Sequence, residues 1–227
     1  NYRILESPPV IKSIDPGIER PLWSVMIPVY NCSQFLQRCL ENVLQQDEGA
    51  DKMQIEVVDD CSTDADVKAL VQRIGNGRVD YFRQEKNMGS LRNFETCINR
   101  AKGYYIHLLH GDDFVDDGFY KAMEGLFKDF PKAGAACCAF WHVDEAGGFL
   151  YPNEKISDER GILTDWLDTI AQGQKLQPPS VVVKREVYEK LGGFFGVHYS
   201  EDWEMWVRIA AHYPFAFTPL KFANYRV

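Results

Sequence analysis

Short apolar runs alternate along the chain with segments whose apolar residues keep helical spacing. The first run covers residues 24–28 and ends in a turn at Pro28. Ser33 is placed to cap a helix after this turn, because apolar residues then recur every three or four positions, at Phe35, Leu36, Leu40, Val43 and Leu44. The pattern predicts a β-strand followed by an α-helix.

The same unit recurs three times. Strands are predicted at residues 55–58, 79–82 and 104–109, and they are followed by helices at about 65–74, 91–101 and 118–130. Apolar strands that alternate with amphipathic helices predict a mostly parallel central sheet flanked by helices, which is a Rossmann-like α/β fold. In such sheets, ligands bind beyond the carboxyl ends of the strands.

The pattern loosens in the second half of the chain. The predicted elements there are a strand at 135–141, a helix at 163–171, a strand at 180–184, helices at 186–191 and 201–211, and a strand at 215–218. Residues 1–21 contain four prolines and are predicted to be an extended leader. Because 227 residues approach the limit for one hydrophobic core, residues 22–227 are expected to form a single domain.

Composition narrows the classes of partner. The net charge of −8 argues against a nucleic-acid partner, because proteins of that class usually present a basic surface. An acidic protein that binds a phosphorylated ligand must neutralise it locally, through backbone N–H groups, a few basic side chains or a metal ion. The six cysteines lack metal-binding spacing and are expected to be reduced thiols. The sequence contains neither an apolar stretch long enough for a transmembrane segment nor a signal peptide, which favours the cytoplasm.

Polar residues gather directly after the first two predicted strands. Tyr30, in the turn from Pro28 to Asn31, can present its ring to a nucleobase or can pack within a strand-to-helix turn. Asp59 and Asp60 are adjacent carboxylates, which repel each other unless they meet a donor or a cation. Such a carboxylate can accept a hydrogen bond from a nucleobase or a ribose, while Ser62, Thr63 or Asp64 can cap the next helix.

Two further clusters follow later strands. The segment from Asn87 to Arg92 is a glycine turn at a helix start, where an N-terminus and a guanidinium favour phosphate, although a plain turn explains it equally. His110, Gly111, Asp112 and Asp113 follow the apolar strand at 104–109. Adjacent aspartates suit Mg²⁺ or Mn²⁺ with open positions for diphosphate oxygens, but a solvated loop has the same composition.

A fifth cluster lies in the helix predicted at 201–211. Glu201 and Asp202 are acidic residues in a first helical turn, where the helix dipole stabilises them, or else one of them is a general base. Trp203 and Trp206 either belong to the core or offer a flat surface to a sugar ring.

These motifs, in this order and at these spacings, resemble the family 2 glycosyltransferases with the GT-A fold. The resemblance covers about residues 22–226, with a nucleotide-binding half at about 22–115 and an acceptor-binding half at about 135–227. It implies an inverting enzyme that moves a sugar from a nucleotide-diphosphate donor, most commonly UDP-linked in this family, to an acceptor hydroxyl. The implied acceptor is a cell-surface polysaccharide or lipid-linked glycan, at the inner face of the membrane in the latter case.

The resemblance also implies roles for individual residues. Tyr30 would stack on the nucleobase and Asp60 would accept its hydrogen bond, with Pro28 and Asn31 shaping the pocket. The remaining implied roles are nucleotide contact for Arg92, ribose or sugar contact for Asp112, Mn²⁺ or Mg²⁺ ligation for Asp113, catalytic base for Asp202, and acceptor or sugar contact for Glu201 and Trp203.

Two positions depart from the family pattern. His110 stands where many relatives have an aspartate, so a third acidic contact is replaced by an imidazole. Relatives often continue past Arg226 into a histidine-containing lid, so the natural chain is expected to be longer or to lack that lid. A non-catalytic nucleotide-sugar-binding module of the same fold is the main alternative. A sugar-phosphate nucleotidyltransferase and a receiver domain lack support, because Pro28 to Ser33 has no glycine or lysine and a receiver leaves Glu201 and Asp202 unexplained.

Overall fold

The computed structural model describes residue 3, residues 5–196 and residues 200–227; residues 1, 2 and 4 of the predicted leader lie outside this part. The strands are β1 (Trp23–Val29), β2 (Met53–Asp59), β3 (Asp80–Arg83), β4 (Tyr105–Leu108), β5 (Phe114–Val115), β6 (Ala135–Val143), β7 (Phe149–Pro152), β8 (Gly161–Ile162), β9 (Val181–Lys184) and β10 (Phe215–Arg226). The α-helices are α1 (Ser33–Leu44), α2 (Val67–Gly75), α3 (Ser90–Arg100), α4 (Phe119–Asp129), α5 (Trp166–Ala171), α6 (Arg185–Leu191) and α7 (Glu201–Ala210).

One mixed sheet joins the strands in the order β3-β2-β1-β4-β9-β6-β10-β5, with β7 beside β6 and β8 beside β10. The first four strands are parallel, as predicted. β9 is antiparallel to both β4 and β6, and β10 is parallel to β6. β6 and β10 therefore run in the direction of β1, and the carboxyl ends of β1, β2, β4, β6 and β10 meet at one edge. The predicted α/β fold class is confirmed.

Alternation along β1 explains why helices cover both faces. Val25 and Ile27 point into one apolar layer with Leu40 of α1, whereas Met26 points into the opposite layer with Phe94 of α3. These side chains are almost fully buried, and burying a side chain of this size contributes about 1.5–3 kcal/mol. The two layers fix the positions of α1 and α3, which begin at the edge of the sheet that carries the polar clusters.

Several local predictions were incomplete or wrong. β5, β7 and β8 were missed because each has only two to four residues. β10 continues to Arg226 rather than ending at Thr218, through irregular register against β6 between Thr218 and Ala223. The cap of α2 is Asp66, whose carboxylate accepts from the Ala69 N–H at 3.0 Å, and not a residue at 62–64.

The start of α1 is also capped differently from the prediction. Ser33 is the first helical residue rather than the cap; the N-cap position is Cys32, which makes no side-chain capping hydrogen bond. The Ser33 N–H donates to the Asp64 carboxylate at 2.9 Å. The turn after β2 therefore satisfies an N-terminal N–H of the helix that follows β1. All six cysteines are free thiols. Among the described residues, no helix combines the length and apolar character required to cross a membrane.

Candidate functional site

A cleft of about 360 Å³ opens at the carboxyl ends of β1, β2 and β4. This volume is within the range of small-molecule sites. The residues that line it are Arg3, Pro28, Val29, Tyr30, Cys32, Asp60, Asn87, Gly89, Ser90, Asn93, Phe94, His110 and Asp112. The four clusters that follow the first four strands thus share one cavity, as their positions in a parallel sheet predict.

The turn after β1 presents Tyr30 to this cleft. Pro28 is buried at the end of the strand, whereas the Tyr30 side chain is 51% exposed. Asn31 adopts a positive φ of 50°, and its side-chain oxygen accepts from the Thr63 N–H at 2.8 Å. The Asn31 N–H donates to the Ser62 hydroxyl at 3.1 Å. Asn31 therefore shapes the cleft by joining the turns after β1 and β2.

The adjacent carboxylates after β2 have different environments. Asp59 is fully buried and accepts from the Ser62 N–H at 2.8 Å, from the Tyr81 hydroxyl at 2.7 Å and from the Arg83 guanidinium. These donors and the ion pair with Arg83 compensate its charge, so Asp59 holds β2 and β3 together. Asp60 points instead toward the cleft.

Asp60 fixes the turn that precedes α3. Its carboxylate accepts from the Asn87 side chain at 3.0 Å, from the Met88 N–H at 2.7 Å and from the Gly89 N–H at 2.9 Å. Burial raises its pKa, and the two backbone N–H groups oppose that effect. An ionised carboxylate has about four acceptor sites. Three are used here, which leaves capacity for one further donor from a ligand.

The turn at 110–113 lies beside this cleft because it follows the buried strand β4. The Gly111 N–H donates to the Pro28 carbonyl at 3.2 Å, and the Asp113 N–H donates to the His110 carbonyl at 3.1 Å. A Cβ at Gly111 would lie 2.8 Å from the Val29 side chain, so only glycine allows this close approach to β1. The approach brings His110, Asp112 and Asp113 to the cleft.

Three side chains of this turn converge in a way that suits a divalent cation. One ligand atom from each of His110, Asp112 and Asp113 lies within 4.8 Å of the others. His110 Nε2 and Asp113 Oδ2 are buried and have no hydrogen-bond partner among the described residues. Uncompensated buried polar atoms are costly, and a cation would satisfy both.

The protonation states agree with this interpretation. Burial lowers the pKa of His110, against the opposing charges of Asp112 and Glu201, so burial favours the neutral imidazole that ligates metals. Burial and the charge of Asp112 raise the pKa of Asp113 well above its usual range. A bound cation favours the ionised carboxylate and would reverse that shift. His110 therefore fits the cluster in place of an aspartate.

The end of β10 supports the same turn. The Arg226 N–H donates to Asp113 Oδ1 at 2.8 Å, and its guanidinium donates to the Asp112 carbonyl at 2.7 Å and to the Asp144 carbonyl at 2.6 Å. The guanidinium also lies 4.3 Å from the centre of the Phe35 ring. Arg226 thus leaves Asp113 Oδ2 as the oxygen available to a ligand.

Asp202 lies in the first turn of α7 and is 9% exposed. Its carboxylate accepts from the Gln174 side chain at 2.6 Å. Burial raises the pKa of Asp202 to about 6. Burial also raises the pKa of Tyr225 to about 12, with further contributions from the charges of Asp113, Asp202, Asp112 and Glu201. α7 therefore brings Asp202 and Glu201 within electrostatic reach of Tyr225, which also senses the charges of Asp112 and Asp113 in the 110–113 turn.

Two predicted contacts do not belong to this arrangement. Arg92 pairs with Glu95 at 2.6 Å and borders a separate depression on the outer side of α3, because it lies on the face of the helix that turns away from the cleft. The Trp203 indole N–H donates to the Ile170 carbonyl at 2.6 Å, and its ring packs against the core. Trp206 is fully buried. Trp206 is therefore a core residue, whereas Trp203 is partly buried and borders a separate depression beside Glu204. Neither Arg92 nor Trp203 lines the cleft.

Sequence reasoning missed several residues of the site. Phe94 lines the cleft and its ring stacks on the His110 ring with the centroids 5.0 Å apart, although the sequence placed it only within the helix predicted at 91–101. Gln174 comes from the irregular region between β8 and β9, where no pattern pointed to it. Arg3 comes from the leader. For Gln174 and Arg3, contact with the site depends on the path of the chain between elements, which periodicity does not encode.

Comparisons with known proteins identify the family of this arrangement. A sequence model described as glycosyl transferase family 2 matches residues 24–192, which include the cleft turns after β1, β2 and β4 but not Asp202. Uncharacterized protein MT1568 of Mycobacterium tuberculosis is 29% identical over 224 residues, covering 92% of this chain and 67% of the relative. Chondroitin synthase of Escherichia coli is 30% identical over 133 residues, covering 57% of this chain and 19% of that protein.

Solved structures share the fold at low sequence identity. TarS of S. aureus, residues 1–349 in complex with UDP-GlcNAc, superposes with a TM-score of 0.75 at 16% identity, covering 90% of this chain and 58% of that chain. The mannosyltransferase PcManGT of Pyrobaculum calidifontis, in complex with GDP-Man and Mn²⁺, gives a TM-score of 0.66 at 19% identity, covering 96% and 60%. This chain thus spans less than two thirds of either structure.

Proposed function

Because the chain belongs to glycosyl transferase family 2, we propose that it transfers a sugar from a nucleoside-diphosphate donor, most simply a UDP-sugar, to an acceptor hydroxyl with inversion. The observation that carries this proposal is the meeting of three groups at one edge of the sheet. These are the Tyr30–Asp60 cleft, the cluster of His110, Asp112 and Asp113 with its buried unpartnered atoms, and the buried carboxylate of Asp202.

The nucleoside would occupy the cleft between the turns after β1 and β2. The exposed Tyr30 ring offers a face for stacking, and Asp60 offers its remaining acceptor site to a base or ribose donor. Pro28 and Asn31 hold that turn. The complex of TarS, which shares this fold, with UDP-GlcNAc supports a nucleotide sugar as the ligand.

The diphosphate would lie toward the turn at 110–113. Asp113, with His110 and Asp112, would hold Mn²⁺ or Mg²⁺, and the GDP-Man and Mn²⁺ complex of PcManGT supports a divalent cation. Such an ion, when bound, neutralises negative charge on the departing diphosphate. Asp112, which is half-buried and lines the cleft together with His110, is in position for the ribose or the donor sugar.

Asp202 would act as the general base. Its raised pKa keeps the carboxylate basic enough to accept the proton of an acceptor hydroxyl, and Gln174 holds one of its oxygens. As the hydroxyl loses its proton to Asp202, its oxygen attacks the anomeric carbon, and the bond from that carbon to the diphosphate oxygen breaks. One displacement inverts the stereocentre. Glu201, beside Asp202, is proposed to contact the acceptor or the sugar.

The acceptor class is a glycan of a cell-surface polysaccharide or a lipid-linked glycan, with the transfer taking place in the cytoplasm at the membrane face. The similarity to a chondroitin synthase supports a polysaccharide acceptor. No described residue identifies the sugar units.

The first test is a thermal-shift titration with UDP, GDP, dTDP and CDP, each with and without Mn²⁺. A ligand that binds only the folded state increases the free energy of unfolding, by about 2.7 kcal/mol at a ligand concentration of one hundred times its Kd. The melting temperature rises as a result. We expect one diphosphate to stabilise the protein, and Mn²⁺ to increase that effect in the wild type but not in Asp113→Asn. No response to any diphosphate would remove the proposed donor site.

A further inference from the structure

The leader forms part of the folded domain rather than an appendage to it. The Gly193 N–H donates to the Pro9 carbonyl at 2.9 Å, and the Gly196 N–H donates to the Leu5 carbonyl at 3.1 Å. A Cβ at Gly192 would lie 2.6 Å from the Pro8 side chain, so the leader is closely packed against this loop. We call residues 5–12 the strap.

The strap is anchored at its far end by buried groups. Ile11 is 2% exposed within the core layer that contains α3. The guanidinium of Arg185, itself buried, donates to the Lys12 carbonyl at 2.8 Å and to the carbonyls of Ile98 and Ala101 at 2.6 Å. These contacts fix the direction in which the chain runs toward residue 3.

Arg3 arrives at the cleft by this path. It lines the cavity, and its guanidinium donates to the Asn87 carbonyl at 3.3 Å. A Cβ at Gly89 would be 3.4 Å from the Arg3 side chain. The positive charge of Arg3 lowers the pKa of Asp60, in opposition to burial. Among the described residues that line the cleft, Arg3 carries the only permanent positive charge.

We propose that Arg3 binds the nucleoside of the donor, on the Asp60 side of the cleft. This inference rests on the function proposed above. The position favours the nucleoside over the diphosphate, because Arg3 contacts the turn at 87–89 that holds Asp60.

The chemistry of the two side chains is complementary. Asp60 only accepts hydrogen bonds when ionised, whereas a guanidinium only donates them. Nucleobases present ring or exocyclic N–H donors next to carbonyl or ring-nitrogen acceptors, so a carboxylate and a guanidinium side by side can satisfy both kinds of group. Residue 3 lies outside the segment that the family model matches, so the family pattern does not assign this contact.

Arg3→Ala and Arg3→Glu test the proposal, with Arg20→Ala as the matched control. Arg20 is another leader arginine that donates to backbone carbonyls, those of Lys102 at 2.7 Å and Gly103 at 2.8 Å, but it does not line the cleft. Calorimetric titration with Mn²⁺ present measures the Kd of UDP and uridine, or of the diphosphate selected by the panel above and its nucleoside. Melting temperatures confirm that each variant is folded.

We expect Arg3→Ala to raise the Kd by about three- to tenfold, which is the range of an ordinary hydrogen bond and lies below that of a charged one because Arg3 is exposed to solvent. Arg3→Glu should raise it further, and Arg20→Ala should not change it. The same factor for UDP and uridine places Arg3 at the nucleoside, because uridine carries no phosphate.

Three outcomes would overturn the inference. Wild-type affinity in both Arg3 variants removes it and leaves the proposed function intact. A loss for UDP without a loss for uridine moves Arg3 to the diphosphate and contradicts the assignment. Wild-type protein that binds no nucleoside diphosphate removes the inference together with the donor site.

Discussion

Replacing Asp202 with asparagine removes the proposed base while keeping its size. In the folded protein, burial raises the pKa of this carboxyl from 3.8 to about 6. General-base assistance is worth about 10²- to 10⁴-fold, so Asp202→Asn should lower turnover by that factor. Affinity for the nucleoside diphosphate should stay within about twofold, because the proposed donor contacts lie in the turns after β1, β2 and β4 and not on α7. A non-catalytic binding module would have no turnover to lose.

The same burial gives a stability change of known sign. Between pH 3.8 and about 6, the folded carboxyl keeps a proton that the unfolded chain has released, so the free energy of unfolding falls as pH rises through this window. At 1.36 kcal/mol per pKa unit, the loss approaches about 3 kcal/mol at neutral pH. Asparagine carries no charge, so the variant should be more stable than the wild type at pH 7, by about 1–3 kcal/mol.

The assays are release of nucleoside diphosphate from pH 4.5 to 8 and urea unfolding at pH 4 and pH 7. Wild-type kcat/KM should rise with pH and level off above about 6. Glu204→Gln is the matched control, since Glu204 lies on the same helix and pairs with Arg208 at 2.9 Å. If Asp202→Asn turns over as fast as Glu204→Gln, the base assignment is wrong. A variant less stable than the wild type at pH 7 would refute the burial argument.

Substitutions at three further residues separate effects on nucleotide binding from effects on stability. Tyr30→Ala should weaken nucleotide binding by about 1–3 kcal/mol through loss of stacking, whereas Tyr30→Phe should retain affinity, both measured by calorimetry. Asp59→Ala should cost about 1–3 kcal/mol of stability in urea unfolding because it leaves the Ser62 N–H and the Tyr81 hydroxyl without their acceptor; an unchanged unfolding midpoint would contradict this. Trp203→Phe should cost about 1 kcal/mol through loss of the hydrogen bond to Ile170, with turnover unaffected, so a large loss of turnover at normal stability would restore Trp203 as a sugar contact.

Local periodicity predicted the elements because each helix and each long strand buries one regular set of side chains. Strand predictions at 55–58 and 135–141 lie within β2 and β6, and the helix predicted at 91–101 overlaps α3 almost completely. The reversed direction of β9 was not predictable, since the burial of a four-residue strand is the same in either orientation. Strand ends and helix starts then placed Tyr30, Asp60 and the turn at 110–113 at one edge.

Side-chain roles within that edge depended on contacts between distant segments. Residue type and spacing do not distinguish Asp59 from Asp60, and only the family resemblance pointed to Asp60. The contacts of Tyr81 and Arg83 on β3 give Asp59 its structural role. Arg92 stands one helical turn from the cleft turn, yet the orientation of α3 points it outward to Glu95. The sequence motif therefore located the neighbourhood of the site, and tertiary packing selected its members.

The reversed strand β9 has a consequence for how this protein can diversify. Backbone hydrogen bonds from β9 join the parallel unit of β1 to β4 with the unit of β6 and β10. Substitutions in β7 or in the loops between β8 and β9 therefore lie across β9 from the strands that build the Tyr30–Asp60 cleft. Under the proposed function, the acceptor side can change in sequence while the strands of the donor cleft stay the same.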